Sequence, residues 1–259
     1  MNYLEALLLA IIEGITEFLP VSSTGHMVIA STFMEIHKNP LTKNFEIVIQ
    51  LGAILSVVVL YWRKFISSFQ FYPKLLVALL PSAVIGGLFG DYIDLFLENI
   101  WVVIATLFSG GIILIFVDNW FQHADETEEQ EVSWLQGLKI GGFQCIAMIP
   151  GVSRAAATIV GGMAVKLNRR TAAEFSFLLA VPTMLGATTK KLMDTYQTIQ
   201  RHDIAILLFG CAIAFVVAMI AIRAFIGFLK QYGFRWFGYY RVALGVALAV
   251  IAYLMKIQM

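Results

Sequence analysis

Long apolar runs separated by short polar interruptions fill this chain, and their lengths predict its architecture. A spanning helix needs about 20 mostly apolar residues. Runs of that length predict spans near 44–62, 73–90, 99–121, 172–190, 203–229 and 238–256. Apolar positions are continuous within them, which excludes the period-two strands of a membrane barrel. Two further segments, 3–34 and 135–166, are apolar yet broken midway by Pro with Gly, Ser and Thr. A helix, a break and a second helix in that length predict a re-entrant hairpin that enters and leaves on one side. Non-helical backbone at such depth is tolerated only inside protein or beside a wet cavity.

The order is therefore a hairpin plus three spans, twice. Pro20 and Pro150, Ser23 and Ser153, and Phe45 and Phe175 each stand 130 residues apart, half of the 259-residue chain. An odd number of spans per half turns the second half upside down. The expected fold is an all-α polytopic membrane protein built as an inverted repeat. Each half is a re-entrant helical hairpin plus three transmembrane helices, within a single integral membrane domain over 1–259 (repeat one about 1–124, repeat two about 132–259). Such repeats usually place their site near the midplane, where the broken helices meet.

Composition adds weight to the membrane reading. Hydrophobic residues make up 59% and charged residues 14%, against about 25% charged in soluble domains. The net charge of +1 gives no reason to expect a nucleic-acid partner. Glu5 and the lack of a basic leading region argue against a cleaved signal peptide. Cys145 and Cys211 lie in apolar segments without metal-ligand spacing, so buried free thiols are expected. With six spans and two hairpins, one face collects Arg63, Lys64, Lys74, Lys139, Lys166, Arg169, Arg170, Lys230, Arg235 and Arg241. The other collects Lys38, Lys43, Lys190, Lys191, Arg201 and Lys256. Ten against six puts the first face in the cytoplasm by the positive-inside rule, with both termini outside. The acidic run 125–131 reads as a solvated linker between the repeats.

Chemistry concentrates at the two breaks. Glu13 and Glu17 are one helical turn apart and share a face. Two carboxylates in a low dielectric repel unless a divalent cation, a shared proton or a nearby arginine resolves the conflict. Ser22, Ser23, Thr24, Gly25 and His26 follow directly after Pro20. A helix starting there presents free backbone N–H groups and hydroxyls, which suit an anion, although N-capping by Ser22 or Ser23 is the plainer role. In the second half, Pro150, Gly151, Val152, Ser153 and Arg154 repeat that geometry, and the Arg154 fork matches phosphate oxygens. Thr158, one turn further on, either adds a donor or packs the helix. Arg223, inside a span, reads as a snorkelling or paired side chain, and Glu46 and Glu174 as residues near helix starts. The remaining histidines, His37, His123 and His202, fall in predicted loops, which disfavours a histidine nucleophile paired with a second histidine. A serine nucleophile or a metal-activated water with a glutamate base fits the inventory better.

The segments EGITEFLPVSSTGH (13–26), FEIVIQLGA (45–53), PGVSR (150–154) and EFSFLLAVP (174–182) resemble the undecaprenyl-diphosphate phosphatase family of the bacitracin-resistance type. The likeness runs over nearly the whole chain. It implies a multi-pass enzyme of the bacterial inner membrane with its site facing the periplasm. Such an enzyme removes the terminal phosphate of a polyprenyl diphosphate lipid and so recycles the carrier for peptidoglycan synthesis. The implied catalytic residues are Glu17, Ser23, His26 and Arg154. Ser22, Thr24, Ser153, Arg154 and Thr158 would bind phosphate, and Glu13 and Glu17 would hold a divalent cation, Mg2+ or Ca2+. Expected partners are that lipid and the surrounding membrane lipids, with a homodimer left open. One departure stands out: the family usually carries serine after the arginine, whereas position 155 is Ala. A hydrogen bond to a charged group is worth about 1.5–3 kcal/mol. In the expected mechanism Ser23 attacks the terminal phosphorus or positions a water, and Glu17 or His26 moves the proton. The rival is a lipid-phosphate transporter or flippase, whose broken helices would use the same loops.

Overall fold

In a computed structural model, residues 1–67, 71–97, 99–121 and 130–254 are described. Eleven α-helices account for most of them, and no strand occurs among the described residues. The first hairpin is α1 (Tyr3–Thr16) and α2 (Ser23–Phe33). It is followed by α3 (Pro40–Leu60), the short α4 (Trp62–Ser67), α5 (Phe71–Leu97) and α6 (Ile100–Trp120). The second hairpin is α7 (Trp134–Ile146) and α8 (Arg154–Ala164), followed by α9 (Arg169–Thr195), α10 (Ile204–Tyr232) and α11 (Arg235–Leu254). Six helices are long and apolar enough to cross a membrane: 40–60, 72–90, 100–120, 169–198, 201–232 and 235–253. These are the six predicted spans, displaced by a few residues at their ends. The acidic run expected as a linker lies mostly outside the described residues, as does His123.

The surface fits lipid. Leu88, Leu208 and Ile220 are each about two-thirds exposed on the flanks of spans, where hydrocarbon, not water, would cover them. All five tryptophans sit in the first or last turns of helices and are more than half exposed. That is the placement of an interfacial aromatic belt.

Each hairpin closes on one side. Gln136 at the start of α7 donates to the carbonyl of Val165 just after α8, at 2.9 Å. The two hairpins begin at opposite ends of the bundle. Tyr3 packs edge-on to Phe209 near the start of α10, whereas Glu131, just before α7, pairs with Lys74 near the start of α5. Lys64 and Arg170 both pair with Glu174, and Arg169 pairs with Asp118, at that second end. Glu174 is thus an ion-pair acceptor between α4 and α9, not only a charge near a helix start. Cys145 and Cys211 are free and only half-buried.

The hairpins repeat one another in backbone detail. Among the described residues, the non-glycine positions with positive φ are Ser22, Glu35, Ser153 and Lys166, two pairs each separated by 131 residues. Glu35 and Lys166 end their helices identically. Ile36 N–H reaches the Ser31 carbonyl at 2.9 Å and Leu167 N–H the Gly162 carbonyl at 3.0 Å, the six-to-one bond of a Schellman ending.

Two helix pairs bring the halves together. The spans α6 and α11 cross at Gly111 and Gly238, where a Cβ on Gly238 would lie 2.7 Å from the Gly111 carbonyl oxygen. Only a residue without a side chain permits that approach. Along α3 and α9 a continuous apolar core includes Phe18, Ala53, Val57, Phe177 and Leu178. The third bridging node is polar. Gln144 of α7, buried, donates to Ser82 Oγ at 2.7 Å and accepts from Thr183 Oγ1 at 3.3 Å. Ser82 and Thr183 each follow the proline that interrupts their helix, Pro81 in α5 and Pro182 in α9.

Arg241 corrects the sequence reading. It was expected among the cations of one face, yet its side chain is completely buried in α11. It lies six residues into the helix, about 9 Å along the axis at 1.5 Å per residue, far enough in to meet the two breaks.

Candidate active site

The site forms where the two breaks meet. The first runs from the end of α1 through Glu17, Phe18, Leu19, Pro20 and Val21 to Ser22, which has φ 69° and ψ 94°. The second ends on Gly151 (φ 84°) and Ser153 (φ 74°, ψ 117°). Left-handed conformations cost about 1–3 kcal/mol in a non-glycine residue and persist where surrounding structure enforces them. The compensation here is capping. Ser22 Oγ accepts from Gly25 N–H at 3.4 Å, and Ser153 Oγ from Ala156 N–H at 3.2 Å. Both hydroxyls act as N-caps, as the plainer sequence reading held, and each keeps a proton free to donate.

Charge meets charge across the halves. Arg154 Nη2 lies 2.9 Å from Glu17 Oε1, and its guanidinium stacks over the Phe18 ring with the central carbon 5.5 Å from the centroid. Arg154 Nη1 donates to the Ser176 carbonyl at 3.2 Å and Nη2 approaches Met184 Sδ at 3.4 Å. Its Nε, buried, has no partner. The other oxygen of Glu17 accepts from Ser23 Oγ at 2.5 Å. One carboxylate therefore holds the serine on one side and the arginine on the other, all at membrane depth.

Glu13 is buried one turn behind Glu17, with Oε1 unpartnered. An unpaired carboxylate oxygen beside a second carboxylate is costly unless something positive fills the gap. Among the described residues no group of three His, Cys, Asp or Glu side chains forms a closed metal cage. Two carboxylates are nonetheless the donor set with which proteins hold Mg2+ when substrate phosphate completes the shell. Glu13 and Glu17 fit that role.

The other predicted residues separate. Both ring nitrogens of His26 are committed: Nδ1 lies 2.7 Å from the Ser22 carbonyl and Nε2 2.6 Å from the Tyr240 hydroxyl. A carbonyl can only accept, so Nδ1 carries the proton and Nε2 accepts from Tyr240. In this arrangement Glu17, not His26, is the base at Ser23. Thr24 is exposed. Thr158 is fully buried, and its hydroxyl bonds the Arg154 carbonyl at 2.8 Å and Ser176 Oγ at 2.6 Å. It anchors α8 to α9 and bears on a phosphate only through Arg154. Ala155 is buried in the apolar core and lies off the polar side of the loop.

Three residues escaped sequence reading: Tyr240, Ser176 and Arg241. Tyr240 and Arg241 adjoin the end of a span, where aromatic and basic residues are ordinary. Arg241 binds the carbonyls of both breaks; the glycines Gly110 and Gly111 on the facing span were the available signal.

The family model for bacitracin resistance protein BacA matches residues 6–247 of the chain. The chain belongs to the BacA family. Among its relatives is a protein of Flavobacterium psychrophilum named undecaprenyl-diphosphatase, 59% identical over 97% of this chain and 96% of its own. A protein of Bdellovibrio bacteriovorus with the same name is 52% identical over 98% and 97% of the two chains. One from Aquifex aeolicus, also so named, is 42% identical over 96% and 98%. As a BacA-family chain with six candidate spans, this is a multi-pass membrane protein.

Proposed function

We propose that the chain is an undecaprenyl-diphosphate phosphatase: it hydrolyses the lipid diphosphate to undecaprenyl phosphate and inorganic phosphate. The relatives' shared name supports hydrolysis over transport. The observation that carries the mechanism is the chain of contacts Ser23–Glu17–Arg154 across the two breaks. A nucleophile bonded to a base, with the base oriented by a third group, is the pattern of an activated hydroxyl.

The diphosphate enters with its terminal group at the N-termini of α2 and α8. Arg154 turns from Glu17 toward the phosphate oxygens, and the backbone N–H groups and capping hydroxyls supply further donors. Glu13 and Glu17 hold the divalent cation, which when bound neutralises phosphate charge. Ser23 Oγ then attacks the terminal phosphorus as Glu17 takes its proton. The bond to the bridging oxygen breaks, and undecaprenyl phosphate leaves. Water attacks the resulting phosphoserine, its proton passing to Glu17, and frees inorganic phosphate and Ser23. His26, fixed by Tyr240, holds the Ser22 carbonyl and so shapes the loop that carries the nucleophile.

The prenyl tail lies along the lipid-facing helices. The domain is one unit over 1–259 whose second half is upside down relative to the first, as an odd span count requires. The site faces the periplasm of the bacterial inner membrane.

Phosphate release from a long-chain prenyl diphosphate by purified protein tests this reading. Release should need Mg2+ or Ca2+ and stop with chelator. Arg154→Ala and Ser23→Ala should each lose it. Full turnover in Ser23→Ala excludes the serine nucleophile, and full turnover in Arg154→Ala overturns the site.

A further inference from the structure

A break in a helix at membrane depth leaves carbonyl oxygens with no helical partner, and something must satisfy them. In the second break Thr106 Oγ1 takes the Pro150 carbonyl at 2.6 Å. Arg241 takes the rest. Its Nη2 reaches the Gly151 carbonyl at 2.9 Å and its Nη1 the Val152 carbonyl at 2.8 Å. The same Nη1 lies 3.2 Å from the Pro20 carbonyl in the first break. Nη2 and Nε are held against α6 by the carbonyls of Thr106 at 3.0 Å and Leu107 at 3.4 Å. One guanidinium therefore ties both breaks to each other and to the α6–α11 crossing.

Three properties separate this from ordinary loop support. The side chain is 0% exposed, so the cost of burying a cation is large. Among the described residues no carboxylate pairs with it; all its partners are carbonyl oxygens. Its charge is thus uncompensated and lies directly behind the two helix N-termini. Space has been kept for it: a Cβ at Gly110 would overlap Arg241 Nη2. Apolar residues would fill this volume more cheaply, and ionisable groups at such depth mark function.

Resting on the phosphatase reading, we propose that Arg241 is a positioning residue for the diphosphate. By gripping the carbonyls of both breaks from behind, it fixes the spacing of the two N-termini. Those carbonyls are turned away from the ligand, and their dipoles cannot oppose an anion. Arg241 touches no substrate; it sets the distance between Ser23 in one half and Arg154 in the other.

Three proteins test this: wild type, Arg241→Lys, and Gly110→Ala, which displaces the guanidinium while keeping the charge. Each carries spin labels at Ile15→Cys and Ile149→Cys after Cys145 and Cys211 are changed to Ser. Thermal unfolding in detergent identifies folded variants, and Gly110→Ala decides if Arg241→Lys does not fold. The expected result is a broadened inter-label distance in the folded variant. Its kcat falls about 100-fold, the scale of a 1 Å misplacement, while KM for the lipid changes by less than about threefold because tail contacts are intact. A folded variant with normal spacing or near-normal kcat overturns the proposal. The distance readout needs no turnover, so an inactive wild type would sink the phosphatase reading without deciding the clamp.

Discussion

Ser22 and Ser153 lie 131 residues apart in the same left-handed conformation, and each caps the helix that follows it. The residues after them differ completely. Ser22 leads into Ser23, Thr24, Gly25 and His26, and Ser153 into Arg154, Ala155, Ala156 and Ala157. The helix before Ser22 ends in Glu13 and Glu17, whereas the corresponding end of α7 carries Gln144 and Cys145. Backbone form is duplicated and the chemistry is divided. The first hairpin holds the acids and hydroxyls, and the second holds the cation. Duplicated breaks provide two sets of helix N-terminal donors, and divergence of side chains turns a symmetric anion trap into an asymmetric reaction centre.

The division is broken most severely by Glu17→Gln. It removes the base at Ser23 and leaves Arg154 without a counter-charge. We expect kcat to fall on the order of 1,000-fold, within the range of general-base loss. Steady-state phosphate release reads this directly, and a loss of less than tenfold would separate Glu17 from the chemistry. Tyr240→Phe is milder. It removes one neutral hydrogen bond to His26, worth about 1 kcal/mol, so kcat should fall about five- to tenfold with the unfolding temperature nearly unchanged. Unaltered kinetics would show that the first hairpin holds its loop without help from α11. Ala155→Ser sharpens the comparison from the other side by restoring the hydroxyl common in the family. Because Ala155 is buried in the core, the rate should change by about twofold or less, while an added buried hydroxyl costs about 1 kcal/mol of stability. A large gain in kcat/KM would place position 155 at the phosphate after all.

The spans were legible because hydropathy alone decides them; six apolar runs became six helices. The breaks were legible because Pro, Gly and Ser clusters have no other business inside apolar sequence. Glu17 and Arg154 were readable as partners from the offset between halves, since nothing else in the chain explains two opposite charges at corresponding depths. Arg241 was not. Six residues into an apolar helix, next to Arg235 and Tyr240, it resembles an interfacial cation until the helix tilt and the Gly110 gap bring it inward. Tyr240 was hidden for the same reason. Thr158 was read as packing or donor, and only tertiary contact with Ser176 discloses the packing role. The Gln144 node escaped because a glutamine after a glycine pair carries no periodic signal.

The ion pair between Glu17 and Arg154 has a consequence for which molecules the site can admit. Removing one member of a buried pair costs about 3–5 kcal/mol because the other is left bare. A free phosphate arriving alone would satisfy Arg154 but abandon Glu17. A cation arriving alone would satisfy Glu17 and abandon Arg154. On the phosphatase reading, only a ligand that delivers both charges together opens the pair without leaving a remnant. The resting contact thus acts as a coincidence detector, discouraging the released phosphate from returning and leaving the centre free for the next metal-bound diphosphate.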